Sequence, residues 1–132
     1  MSEVPGGPMA AVRQFIDSFN DGDADAQQAL CTDETTIIDD FPPHLWAGPR
    51  ATARWYRDMA AWATGYGISN WSVTLEEPRH EIASEGNGYV VVPFVCRWVD
   101  DGAQDQRSGD LALALRDAPE GWRISAFTWA WS

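Results

Sequence analysis

The apolar positions near the start of the chain recur with a helical period. Val12, Phe15, Ile16 and Phe19 fall at i, i+3, i+4 and i+7, on one face of a helix expected over Met9–Phe19. Met1–Pro8, with Gly6, Gly7 and two prolines, reads as a loose tail before the single domain expected over residues 9–132. Asn20-Asp21-Gly22-Asp23 stops the helix, and Gly22 suits a left-handed turn. Asp23 is placed to cap a short second helix over Ala24–Leu30. Thr32–Asp39, rich in Thr and Ile, predicts a strand. A third helix is expected from Pro49 to about Thr64, because proline is favourable at a first helical position, where no N–H is needed. Trp55, Met59, Trp62 and Tyr66 repeat along it at helical spacing, while Arg50, Arg54 and Arg57 lie mostly on another face. An aromatic stripe of this kind is more often core than cofactor site. Gly65 and Gly67 end the helix.

From Ile68 the period changes to two. Trp71, Val73 and Leu75 alternate with Ser72, Thr74 and Glu76, which predicts a half-buried strand. Pro78 bends or ends it, and His80–Ser84 resumes. Gly86-Asn87-Gly88 signals a hairpin. Tyr89–Val99 follows as a long strand with little alternation in its first half, so both of its faces are expected to be covered. Asp100-Asp101-Gly102 turns into a strand over Arg107–Arg116, in which Leu111, Leu113 and Leu115 alternate with Asp110, Ala112 and Ala114. Trp122–Trp131 closes the chain as a final strand. Helices first, then an antiparallel meander, predict α+β: a curved antiparallel sheet with three N-terminal helices packed on its concave face.

Composition narrows the partners. At 132 residues and 45% hydrophobic, one domain can bury a core without disulfides. A net charge of −11 argues against nucleic acid and against anionic membranes as partners. No apolar run approaches a membrane span and no signal-peptide core is visible at the N-terminus. Cys31 and Cys96, with no C-x-x-C pair, fit free thiols in a reducing cytoplasm, with one disulfide as the alternative. As chemistry, they read as small buried hydrophobes rather than nucleophiles. His44 and His80 lie far apart without ligand spacing, so no metal is expected, and no nucleotide motif calls for an organic cofactor. Eight tryptophans in so short a chain must in part be buried or line a pocket. Apolar side chains on both faces of Tyr89–Val99 and Trp122–Trp131 predict a homodimer through the outer face of the sheet.

The stretch Ile37–Gly48, IIDDFPPHLWAG, concentrates the candidate chemistry. A strand runs into Asp39 and Asp40, then a rigid Phe-Pro-Pro corner, then His44, Leu45 and Trp46. An acid at a strand end beside a rigid loop is well placed for proton transfer, although polar punctuation is the competing reading. Ile37 and Asp39 share one face of the strand and Ile38 and Asp40 the other, so only one of the two acids can point inward. His44 could orient or replace the base, or be simply surface. Asp110 has two readings: buried and functional if the alanine face of its strand lines a cavity, exposed if the leucine face is the core.

In order and spacing, Phe19-Asn20-Asp21-Gly22-Asp23, Thr36–Asp39, Ala47-Gly48 and the closing Gly121-Trp122-Arg123-Ile124 resemble the nuclear transport factor 2-like superfamily. That cone-shaped α+β fold includes SnoaL-like polyketide cyclases and ketosteroid isomerases. The isomerases carry a catalytic base nine residues before the glycine that opens the third helix, and Asp39 matches it by its distance from Gly48. An isomerase hydrogen-bonding tyrosine, eight residues after that glycine, is matched by Tyr56. Phe15 stands where the isomerases carry an oxyanion-hole tyrosine, and Asp110 lies near their second oxyanion donor. Loss of one such donor typically costs about 10²–10³ in rate, which weighs against steroid isomerisation.

The resemblance therefore implies a small enzyme of the isomerase, cyclase or dehydratase kind. It would bind an apolar cyclic or aromatic ketone-like molecule in the cone, with Asp39 as general base and His44, Tyr56 and Asp110 as partners. Phe15, Trp46, Trp55, Met59, Phe94 and Trp129 are the candidates for the apolar wall. A non-catalytic ligand-binding or interaction protein of the same fold is the alternative.

Overall fold

The apolar stripe of the first helix is buried along its whole length in the computed structural model, which describes residues 5–132. Helix α1 spans Pro8–Asn20, with Gly7 as its N-cap. Pro8, expected to close the loose tail, is instead helical and buried, and residues 1–4 of that expectation lie outside the described residues. Helix α2 (Ala24–Ala29) starts where Asp23 accepts a hydrogen bond from the Ala26 N–H at 3.0 Å. Strand β1 (Cys31–Ile38) stops one residue short of Asp39 and forms a small hairpin with β2 (Leu45–Trp46).

Helix α3 runs Ala51–Gly65 rather than from Pro49. Gly48 (φ +88°) and Arg50 (φ +55°) both adopt left-handed backbone, so the chain cannot enter the helix until Ala51. Pro49 instead bridges to Glu34 on β1.

The strands β3 (Ile68–Leu75), β4 (His80–Ser84), β5 (Asn87–Asp100), β6 (Ala103–Ala118) and β7 (Gly121–Trp131) complete the molecule. The sheet order is β2-β1-β7-β6-β5-β3, with β4 also paired to β5. Every pairing is antiparallel except β1 with β7, so the α+β cone is built on a mixed sheet. Two tight turns, Glu85-Gly86 and Asp101-Gly102, have positive φ at both residues, the geometry that matches hairpin twist. Register shifts between Ser69 and Ser72 on β3, and beside Ala114 and Leu115 on β6 and β7, add local bend.

Strand β5 alternates more strictly than its composition predicts. Val90, Val92, Phe94 and Cys96 are buried, while Tyr89 and Arg97 are exposed and Val91, Pro93 and Val95 half-buried. Its outward valines suit a pleated backbone without needing a core on that side. On β6 the leucines are the core: Leu111, Leu113 and Leu115 are at most 2% exposed. Asp110, Ala112 and Ala114 consequently face outward. Among the described residues no helix is long and apolar enough to cross a membrane.

Candidate functional site

The corner after β1 is fixed by backbone bonds. The Asp39 N–H donates to the His44 carbonyl at 3.1 Å and the His44 N–H to the Phe41 carbonyl at 2.9 Å. Strand alternation then sets the acids apart. Ile37 (0% exposed) and Asp39 (7%) face inward, whereas Ile38 (53%) faces out. Asp40 turns to the rim and pairs with Arg107, its Oδ2 3.1 Å from Nη1.

Asp39 is held by three donors. Trp55 Nε1–H donates to Oδ2 at 3.0 Å, and Trp131 Nε1–H donates to Oδ1 at 3.0 Å. The Asp40 backbone N–H donates to Oδ1 at 2.8 Å. A carboxylate oxygen has two lone-pair positions, so among the described residues Oδ1 is saturated and Oδ2 keeps one acceptor position free. Burial raises the carboxyl above its ordinary 3.8. The Trp131, Trp55 and Asp40 hydrogen bonds pull it back, and the Asp40 charge pushes it further up.

The acid opens onto a cavity of about 190 Å³ on the concave side. Its wall is almost wholly apolar: Phe19 from α1, Trp55, Met59 and Trp62 from α3, Trp71 and Val73 from β3, Cys96 and Trp98 from β5, Trp129 and Trp131 from β7. Trp129 stacks on Trp55 (centroids 5.9 Å, 14° between planes) and on Trp131 (6.2 Å, 21°). The indole N–H of Trp129 is buried without a partner among the described residues. Arg107 lies over Trp131, 5.1 Å from the ring centroid, at the rim. Cys96 is inert as a nucleophile there, because burial, reinforced by the Asp39 charge, pushes its thiol up to about 11. Burial also pushes the Cys31 thiol up to about 11, against a hydrogen bond from Thr52. Both cysteines are free.

Of the residues singled out from sequence, Asp39, Trp55, Met59 and Trp129 meet at this cavity. The others stand elsewhere. His44 reaches Asp39 through its backbone, with Nδ1 3.1 Å from the carbonyl oxygen, and not through the carboxylate. Tyr56 sits edge-on to Phe19, and its hydroxyl lies beside Gly22. Asp110 pairs with Arg79 at 3.0 Å on the outer face. Phe15 is wholly buried against Phe127. Trp46 gives its N–H to Asp58 at 2.9 Å and packs on Phe41. Phe94 stands behind the wall, edge-on to Trp129 and Trp131 at 5.0 Å each.

Sequence reasoning missed Trp131, Trp71, Trp98 and Arg107. Two of these had a usable signal, since Trp131 shares strand parity with Trp129, and Trp71 with Val73. Among the described residues no three or more His, Cys, Asp or Glu converge as metal ligands would.

A family model described as a SnoaL-like domain matches residues 9–127. No curated protein matches the chain. Among solved structures, the CaMKII hub of S. rosetta is similar with a TM-score of 0.78 at 17% identity, covering 98% of this chain and 100% of that one. A ketosteroid isomerase-like protein from Erwinia carotovora atroseptica is similar with a TM-score of 0.72 at 16% identity, covering 93% and 92%. A nuclear transport factor 2-like superfamily protein from Salmonella enterica gives 0.75 at 15% identity, covering 92% and 86%. Likeness at such identities speaks for the fold alone, and the fold hosts unrelated functions. With a family match over most of its length, the chain belongs to the SnoaL-like domain family, and its cone shares the fold of a nuclear transport factor 2-like protein.

Proposed function

We propose that the chain binds a small, largely apolar molecule in the cone and that Asp39 Oδ2 accepts a hydrogen bond or a proton from it. The observation that carries this reading is the single free acceptor position on a desolvated carboxylate whose other positions are filled by two indoles and a backbone N–H. Size limits the guest. An apolar cavity of about 150 Å³ is known to take benzene, so about 190 Å³ admits one ring with a small substituent.

The enzymatic form of this reading is isomerase, cyclase or dehydratase chemistry on a cyclic or aromatic ketone-like molecule, with Asp39 as general base. It is favoured by the raised carboxyl, which moves a base toward neutral pH. Non-catalytic binding is favoured by the placement of His44, Tyr56 and Asp110, none of which offers a donor to a developing oxyanion beside Asp39. Hydrogen–deuterium exchange at the α-carbon of cyclopentanone or indanone, followed by NMR, separates the two. Exchange above the buffer rate that vanishes in Asp39→Asn supports the enzyme. Saturable quenching of tryptophan fluorescence by phenol, with no exchange of the ketones, supports binding alone.

A second copy of the chain is proposed to cover the outer face of the sheet. Ile38, Leu45, Ile82 and Tyr89 are 53, 56, 52 and 47% exposed on that face, with Ala112, Ala114 and Ala126 between them. Ala114→Glu, near the middle of this face, is expected to convert a dimer to monomer in sedimentation velocity at micromolar concentration. A wild type that sediments only as monomer would remove the proposal.

A further inference from the structure

The cavity's charge and hydrogen-bonding capacity together specify more than an apolar guest. With Asp39 ionised, the charged side chains on the lining are Asp39, Asp40 and Arg107, and the last two form an ion pair. Among the described residues the lining therefore carries one uncompensated negative charge, set deep in the wall. Around it stand aromatic side chains, with Trp55 and Trp131 turning their indole N–H edges to the acid and Trp129 stacked between them. The indole N–H groups of Trp55 and Trp131 are engaged by Asp39, and that of Trp129 is buried, with no partner among the described residues. Among the described residues, a carbonyl or carboxylate guest has as donor the Arg107 guanidinium at the rim, already shared with Asp40 and Ser132, while a guest that donates finds Oδ2.

We infer that the guest of this cavity is a small hydrophobic amine, bound as its ammonium ion with an N–H on Asp39 Oδ2 and its ring against the indoles. This rests on the cavity reading above and names its ligand class. The charge-assisted N–H···O bond and the uncompensated charge of the lining act in the same direction. Pairing also relieves the isolated buried carboxylate, whose charged form is the one that burial disfavours. Of the other groups around the cavity, the Cys96 thiol on β5 stays neutral, Arg107 on β6 stands at the rim paired with Asp40 and bonded to the Ser132 carbonyl, and α1, α3, β3 and β7 present apolar or indole side chains.

The test uses four single-ring probes: benzylamine, benzyl alcohol, benzaldehyde and benzyltrimethylammonium. Binding to the full chain is read by tryptophan fluorescence and calorimetry. At pH 7 benzylamine is expected to bind at least about ten-fold more tightly than benzyl alcohol or benzaldehyde. The quaternary ion, which lacks an N–H, should fall between them. In the wild type the benzylamine affinity should decline as pH falls through the Asp39 midpoint while that of benzyl alcohol stays flat, a readout that needs no variant. Asp39→Asn should erase the preference. Neutral probes that bind as tightly as benzylamine, with no pH dependence, overturn the amine assignment but leave the cavity reading standing. No binding by any of the four overturns both.

Discussion

Alanine at Gly109 is expected to lower the unfolding free energy by about 3 kcal/mol, the upper part of the range for a forced overpacking. Gly109 lies on β6 between Phe94 on β5 and Trp131 on β7. A Cβ there would meet the Ala130 carbonyl oxygen, with Trp131 Cα at 2.9 Å and Phe94 Cζ at 3.0 Å. Two of these three contacts are backbone, so the strand pair itself must move. The displacement falls on Trp131, which holds Asp39 Oδ1, so the cavity should loosen together with the fold. Gly65→Ala is the matching control: it ends α3 with nothing within 4 Å of an added Cβ and no positive φ. It should be neutral or slightly stabilising. Urea unfolding of both variants checks the pair, and equal midpoints would contradict the crowding at Gly109.

The second large effect is a pH dependence with a definite sign. Asp39 is raised in the folded state from 3.8, so the folded chain holds this proton more tightly than the unfolded chain does. The stability that the protonated group contributes is complete below 3.8 and is lost as pH rises through the folded midpoint. Each unit of separation is worth about 1.36 kcal/mol. Asp39→Asn has no such proton. Its stability relative to wild type should therefore improve steadily with pH across that window and then level off. At every pH it also bears a constant cost, because an amide NH₂ would confront either the Trp55 or the Trp131 N–H. Chemical unfolding of both proteins at half-unit intervals from pH 3.5 to 8 gives the difference curve, from which the other carboxylates largely cancel. A flat difference, or one in which wild type gains with rising pH, would show that Asp39 is not desolvated.

Much of the fold was legible because its period changes cleanly. The i, i+3, i+4, i+7 stripe of α1 and the Leu111-Leu113-Leu115 alternation of β6 are local patterns, and burial follows them directly. The parallel pairing of β1 with β7 joins residues some ninety positions apart and leaves no local mark. The start of α3 was misplaced because a left-handed Arg50 has no composition signal and Pro49 is a familiar helix opener.

At the site, strand parity leaves one acid on each face and the distance from Gly48 points to Asp39, but neither reveals what surrounds the acid. Trp55 and Trp131 converge on it from a helix and from the end of the chain, 16 and 92 residues away. Tyr56 follows Trp55 on α3, but one residue turns a helix by about 100°, and that points its side chain away from the cavity. Both faces of β6 are apolar enough in sequence to be core, and it is the burial of Leu111, Leu113 and Leu115 that leaves Asp110 on the outer face.

Carboxyl ¹³C NMR of Asp39, assigned by difference from Asp39→Asn, tests the desolvated acid most directly. A midpoint above 3.8 is expected, moving further up in Trp55→Phe, which keeps a ring but removes one N–H from Oδ2. A midpoint at or below 3.8, or one that Trp55→Phe leaves in place, would contradict a buried carboxylate held by indoles at the floor of the cone.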